Sequence, residues 1–199
     1  MKVVATSYIS VKGAFLNEKK IQHADDTNWL KSLYQALEID YPKFYKMDTL
    51  SKMAFLASEI MKDEIVAVQT SDQDMQLLFA NSAASQQTDL KYLDSYANGG
   101  APSPSLFVYT LPNIVTGELA IRNKWYGENT FFITEKFDEE FFQEQLQFAF
   151  ARGNKSCLCA WVDTPTDGIE ECFLFLVSEG ENTTESLKLL NRLNNYRNE

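Results

Sequence analysis

SPSLFVYTLPNIVTGELAI, residues 103–121, runs from an aromatic and β-branched segment across a proline into an apolar stripe of helical period. The pattern predicts a buried strand over Leu106–Leu111, a turn at Pro112 and a helix from about Asn113 to Lys124. Such a strand-to-helix corner is where α/β enzymes often present a nucleophile. The helix N-terminus offers unpaired N–H groups and a positive dipole end, which lower a thiol pKa and help hold an oxyanion. Proline can neither attack nor donate an N–H, although it suits a first helical turn, where its N–H would be unpaired anyway. Tyr109 and Thr110 are the nearest hydroxyls, and no histidine or lysine base lies beside them to activate either. The corner reads as a scaffold without its reactive atom.

On either side, strand and helix patterns alternate. VVATSYISV (3–11) has strand composition, and DTNWLKSLYQALEI (26–39) carries Trp29, Leu30, Leu33 and Leu37 at helical spacing behind a polar cap. MDTLSKMAFLASEIM (47–61) is a buried-face helix capped by Asp48. EIVAVQT (64–70) fits either a helix end or a strand, whereas MQLLFANS (75–82) is a strand. TDLKYLDSYANG (88–99) predicts a short helix capped by Thr88 or Asp89, and GGAPSP (99–104) an exposed loop. NTFFITE (129–135), SCLCAWVDT (156–164) and CFLFLVSE (172–179) are strands, the last two joined by the polar loop 165–170. DEEFFQEQLQFAFARG (138–153) and TTESLKLLNRLNNYRNE (183–199) are helices. The alternation implies one α/β domain over residues 1–199, with a sheet covered by helices.

Composition narrows the function classes. With 28 acidic against 18 basic residues the net charge is −10, which disfavours nucleic acid, bound mainly through clustered Lys and Arg. No apolar run approaches a membrane span and the N-terminus lacks a signal-peptide pattern, so a cytoplasmic protein is expected. Cys157 and Cys159 fall on one face of a strand and, with Cys172, read as reduced buried thiols rather than a zinc or redox site. The single histidine, His23, cannot build a metal triad, so neither metal nor cofactor is expected. Asp138–Glu140 complement a helix dipole rather than forming an acid/base pair. The sequon Asn182–Thr184 matters only in a secreted protein; Thr183 or Thr184 is more simply a helix cap. Small polar residues after 75–81, beginning with Asn81 and Ser82, occupy a common place for ligand loops.

Taken in order, LSKMAFLASEIM (50–61), LLFANSAASQQTDLKYLDS (77–95), PSPSLFVYTLPNIVTGELAIRNKWYGE (102–128) and CLCAWVDTP (157–165) resemble the N-terminal half of β-ketoacyl-ACP synthases. The likeness is to the divergent group found with aryl-polyene and flexirubin-type pigment genes, and it rests above all on N-S-x-x-S-x-x-T-D (81–89) followed by P-S-L-F-V-Y-T-L-P-N (104–113). It implies a three-layer α/β/α thiolase-like half-domain with a mixed sheet. The family's corner reads approximately V-x-T-A-C, and laying Val108 and Thr110 on that pattern puts Pro112 at the nucleophile. The family's histidine-bearing C-terminal half has no counterpart in these 199 residues.

The resemblance therefore implies a non-catalytic, chain-length-factor-like accessory subunit in fatty-acid, polyketide or aryl-polyene biosynthesis, without a catalytic residue of its own. Its partners would be a ketosynthase subunit, an acyl carrier protein, or a second copy in a homodimer. Family interfaces place the contact on Phe131, Phe132, Ile133 and Thr134 and on the helix from Asn113 to Trp125. The alternative is an acyl- or pantetheine-binding protein, or an enzyme with a different site, using the old pocket near Asn81, Ser82, Thr110 and Asn113. An acidic carrier would then need a local basic patch, for which Arg122 and Lys124 are the candidates.

Overall fold

The computed structural model describes residues 1–22, 28–69, 71–97, 99–180 and 188–199. His23, the sequon and its two threonines lie outside these residues. Seven strands form one mixed sheet: β1 (Lys2–Ser10), β2 (Gly13–Leu16), β3 (Lys19–Ile21), β4 (Met75–Asn81), β5 (Asn129–Ile133), β6 (Ser156–Asp163) and β7 (Glu171–Ser178), in the order β3-β2-β1-β7-β6-β4-β5. β4 runs parallel to both β5 and β6, and the remaining pairs are antiparallel.

Alternation along β6 and β7 explains why both strands read as continuous apolar runs. Leu158, Ala160, Val162, Cys172, Leu174 and Leu176 face one core, and Cys157, Cys159, Trp161, Phe173, Phe175 and Val177 face the other. Strands buried on both faces have no polar side to reveal the period of two. The first core is covered by α1 (Trp29–Ala36), α2 (Thr49–Ile60) and α6 (Ile114–Asn123), the second by α7 (Glu139–Ala151) and α8 (Leu189–Asn198). Helices on both faces give the three-layer α/β architecture expected from the sequence. Cys157 and Cys159 project to the same side, with their sulfurs 3.5 Å apart, and burial pushes the Cys159 and Cys172 thiols well up from their ordinary range.

Several local expectations are met by name. Asp48 caps α2, its Oδ1 accepting from Ser51 N at 2.9 Å, and Asn28 caps α1. Of the ambiguous 64–70 stretch, residues 64–68 belong to a helix, α3 (Lys62–Val68), and a 3-10 helix at Pro42–Lys46 precedes α2. The β2–β3 hairpin was not anticipated; it turns at Asn17 and Glu18, both at positive φ. α4 (Gln86–Ala97) begins two residues before the expected cap, so Thr88 is an interior residue whose hydroxyl donates to Asp48 Oδ2 at 3.0 Å.

One expectation fails outright. Leu106–Leu111 is not a strand: α5 (Pro104–Val108) occupies most of it, capped by the Ser103 hydroxyl, which accepts from Leu106 N. Ser followed by Pro is an N-cap with proline at N1, and this local signal outweighs the strand propensity of Leu-Phe-Val. Phe107 and Val108 are exposed, so the burial that would favour a strand there is missing. Pro112 therefore stands in a turn between two helices, not at a strand-to-helix corner.

Candidate functional site

The parallel strands β4, β5 and β6 end side by side at Asn81, Ile133 and Asp163. At carboxyl ends of parallel strands, loops leave the sheet and open a crevice. Here the crevice is a cleft of ≈ 520 Å³, whose lining includes Ser82, Lys136, Trp161, Asp163, Ile169 and Arg197.

Carboxylates build its walls. Asp163 Oδ1 accepts from the backbone N–H groups of Ser82 and Ala83 at 3.2 and 3.1 Å, and its Oδ2 accepts from the Ser82 hydroxyl. Asn81 is fully buried, with both ends of its amide on Ala84, accepting from N at 3.0 Å and donating to O at 2.8 Å. Glu171, also buried, accepts from Tyr8 Oη at 3.2 Å, Trp161 Nε1 at 3.1 Å and Arg197 Nε at 2.9 Å, and pairs with Arg197 Nη2 as well. Burial, with the Glu171 charge second, pushes the Tyr8 phenol up to about 12. The Arg197–Glu171 fork ties the end of α8 to the start of β7 and closes one side of the cleft.

A strand-to-helix corner does exist, at residues 134–138 between β5 and α7. The window Phe132-Ile133-Thr134-Glu135-Lys136 has the spacing first laid on Val108–Pro112, and here its first two residues end a strand. The α7 N-terminus beyond it is already occupied. Asp138 Oδ1 accepts from Glu140 N at 3.0 Å and Phe141 N at 3.2 Å, while Glu139 Oε2 accepts from Leu190 N at 3.0 Å. Two of the orphan donors that could hold an oxyanion, Glu140 N and Phe141 N, are spent on the Asp138 carboxylate.

The residues singled out in the sequence are only partly brought together. Ser82 lines the cleft and Asn81 shapes its turn. Thr110 is linked to that turn through Ser85, whose hydroxyl donates to Thr110 O at 2.7 Å, and its own hydroxyl donates to Phe107 O. Asn113 starts α6, exposed and making no side-chain cap. Pro112 is not among the cleft residues.

Phe131, Phe132, Ile133 and Thr134 lie on or just beyond β5, at the end of the sheet. Ile133 is 60% exposed, Phe131 packs on one core and Phe132 on the other. Trp125 does not share that surface: it is 4% exposed and donates Nε1 to Gln69 at 3.0 Å, so it is a core residue. Arg122 is likewise consumed, bidentate to Glu59 and stacked 4.7 Å from the centre of the Tyr41 ring. What sequence reading missed is the 134–138 corner and the Glu171–Arg197 fork. The fork joins residues 26 positions apart and leaves no local pattern to find.

Among the described residues, no helix is long and apolar enough to cross a membrane, and no cluster of His, Cys, Asp or Glu could hold a metal ion. No family model matches the chain. No curated protein matches it either. Solved structures do. The ishigamide ketosynthase/chain length factor matches with a TM-score of 0.67 at 17% identity, over 92% of this chain and 63% of that one. A ketosynthase in complex with its chain length factor from Xenorhabdus doucetiae matches at 0.59 and 14% identity, over 90% of this chain and 80% of that one. A complex of a type II polyketide synthase acyl-carrier protein with its ketosynthase bound to the hexaketide matches at 0.59 and 13%, over 89% and 62%. The chain thus spans less than two thirds of the first and third of these chains. Its fold is that of ketosynthase and chain length factor structures, a thiolase-like α/β half-domain.

Proposed function

We propose that this chain is a non-catalytic, ketosynthase-like subunit of the chain-length-factor kind, which pairs with a catalytic ketosynthase in polyketide or aryl-polyene-type synthesis. The observation that carries the reading is where its thiols lie. Cys157, Cys159 and Cys172 are each 0% exposed, within β6 and β7, and neither Pro112 nor the 134–138 corner supplies another. A condensing enzyme needs a thiolate at a helix N-terminus to accept the acyl group. The helix end at the 134–138 corner is capped by Asp138, whose charge would oppose both a thiolate and an oxyanion.

The edges of the sheet support the pairing half of the reading. β3 is short and carries Lys19 and Lys20, which discourage a further strand. Among the described residues β5, which carries Thr130, Phe131, Phe132 and Ile133, has no neighbouring strand beyond it, and the exposed Leu111 and Ile121 lie on the turn before α6 and on α6 itself. Fold neighbours that are ketosynthase complexes make a ketosynthase the first partner to test; a second copy of this chain would use the same edge.

Two measurements test the proposal together. Native mass spectrometry after co-expression with the ketosynthase encoded nearest to it should give a complex of fixed ratio. Intact mass after incubation with an acyl thioester should show no covalent adduct on this chain. An acyl adduct on a cysteine, or a chain that stays alone with the ketosynthase present, overturns the reading. The cleft favours a second reading, an acyl- or pantetheine-binding role beside Ser82 and Trp161, which ligand-induced quenching of Trp161 fluorescence would reveal.

A further inference from the structure

The basic patch anticipated at Arg122 and Lys124 is not available, because Arg122 is spent on Glu59. Another has formed elsewhere. Asp48 caps α2 and also accepts the Thr88 hydroxyl, so it pins the start of α2 to α4. Around that junction stand Lys46, closing the 3-10 helix, Lys52, in the second turn of α2, and Lys91, one turn along α4 from Thr88. The Lys52 ammonium lies 5.7 Å from the centre of the Phe44 ring. Burial is the main cause lowering its pKa, against the opposing Asp48 charge and with the Lys91 charge adding to it, and the Thr88–Asp48 bond at 3.0 Å brings the α4 turn that carries Lys91 up to the start of α2.

Two carboxylates at this junction are occupied. Asp48 has one oxygen on Ser51 and the other on Thr88, and Glu118 is taken by Lys43 at 2.6 Å and by the Tyr109 hydroxyl at 2.9 Å. Among the described residues neither Lys46 nor Lys91 is in an ion pair. Beside them Tyr45 is 53% exposed and held edge-on against Tyr34 and Phe44, an aromatic anchor that costs little entropy to order.

We infer that Lys46, Lys52, Lys91 and Tyr45 form a docking surface for an acidic carrier protein, on this subunit itself. The inference rests on the proposed function for the identity of that partner. Charge complementarity selects it: on a chain of net charge −10, an acidic protein is repelled at long range and can be held only where positive charge is concentrated. At physiological ionic strength charges are screened beyond roughly 8 Å, so the local patch decides. The surface also adjoins the cleft. α4 starts beside the 81–85 turn, and Gln87 Nε2 donates at 2.7 Å to Glu170, next to the cleft residue Ile169. An arm carried by a protein docked on α4 would be delivered to the end of the sheet where the cleft opens.

The test uses the full chain and a fluorescently labelled apo acyl carrier protein from bacterial fatty-acid synthesis, followed by anisotropy at low and high salt. Lys46→Glu with Lys91→Glu is compared with Lys19→Glu and Lys20→Glu, a remote pair on β3 that changes net charge equally. The wild type should bind saturably and more weakly as salt rises. The patch variant should bind at least about tenfold more weakly, and the remote variant within about twofold of wild type. Equal losses in both variants, an unaffected patch variant, or no saturable binding by the wild type overturns the inference. Co-purification of a ketosynthase with the wild type and with the patch variant separates the outcomes: retained pairing with lost carrier binding localises the carrier, lost pairing with retained carrier binding overturns the inference by assigning the patch to the ketosynthase, and a wild type that brings down no ketosynthase sinks the accessory-subunit reading.

Discussion

Replacing Ile133 by proline tests whether a partner strand adds to β5. The ladder parity is fixed by two bonds to β4: Leu77 N to Glu128 O at 2.9 Å, and Thr134 N to Asn81 O at 2.9 Å. Along a strand, successive residues direct their backbone groups to opposite sides. Residues 128, 130, 132 and 134 therefore face β4, and Asn129, Phe131 and Ile133 turn their N–H and C=O groups outward. Proline at 133 removes an outward donor and leaves the inner ladder whole, and the preceding residue is already extended, as proline requires. The side chain lost is mostly exposed, so the isolated chain should stay within about 1 kcal/mol of wild type.

In a complex the same change leaves a partner carbonyl unsatisfied and puts a ring where the next strand must lie. Together these cost about 2–4 kcal/mol, or roughly 30-fold to several-hundred-fold in dissociation constant. Light scattering on mixtures with the ketosynthase reads the affinity, and urea denaturation of the lone chain reads its stability. Thr130→Pro serves as the contrast, because its N–H faces β4 and its loss should cost the chain itself about 3 kcal/mol. If Ile133→Pro folds like wild type and binds the ketosynthase as tightly, β5 is not the pairing edge.

Arg197→Ala should destabilise the chain by about 1–2 kcal/mol, discounted because the guanidinium is partly in water; adding Glu171→Gln should recover part of the loss in urea denaturation. Gly127→Ala places a Cβ on the carbonyl of Met75 and should cost about 3 kcal/mol, whereas Gly117→Ala meets nothing and should stabilise α6 by up to about 1 kcal/mol, both read from thermal midpoints. The Tyr8 phenol ionises near 10 in the unfolded chain and near 12 in the fold. Its contribution is thus complete below pH 10 and lost as pH rises through 12. Urea midpoints between about pH 9 and 11.5 should fall less steeply for Tyr8→Phe, with Tyr109, also raised, keeping some slope.

What was legible in the sequence was whatever the chain states locally. β6 and β7 are apolar runs between polar ends, β1 and β4 are rich in apolar and β-branched or aromatic residues, α2 announces its cap at Asp48, and the two-residue spacing of Cys157 and Cys159 places both thiols on one face. Leu106–Leu111 was misread because strand propensity measures how a side chain suits a half-buried surface, and that segment has no such surface. The 134–138 corner went unseen because its polar residues carry no period, and Trp125 was placed outside because an indole reads alike at an interface and in a core. Arg122 and Arg197 show the same limit for charge. A sequence counts a cation but does not say which carboxylate the fold will give it, here Glu59 and Glu171.

The capped end of α7 gives this limit a functional consequence. A helix N-terminus presents donors that must find an acceptor, and in a condensing enzyme the acceptor is transient, a thiolate or an oxyanion. Where no thiol stands at the corner, leaving those donors empty would forfeit roughly 1 kcal/mol, which a carboxylate at the N-cap recovers. Asp138 is that carboxylate, and Glu139 extends the negative charge to the start of α8. Once the cap is in place, a cysteine introduced at position 136 would meet occupied donors and a neighbouring negative charge, so its thiolate would be disfavoured rather than stabilised. A corner without a thiol and a filled helix end thus reinforce one another, and among the described residues β5 ends the sheet with one edge open to another molecule.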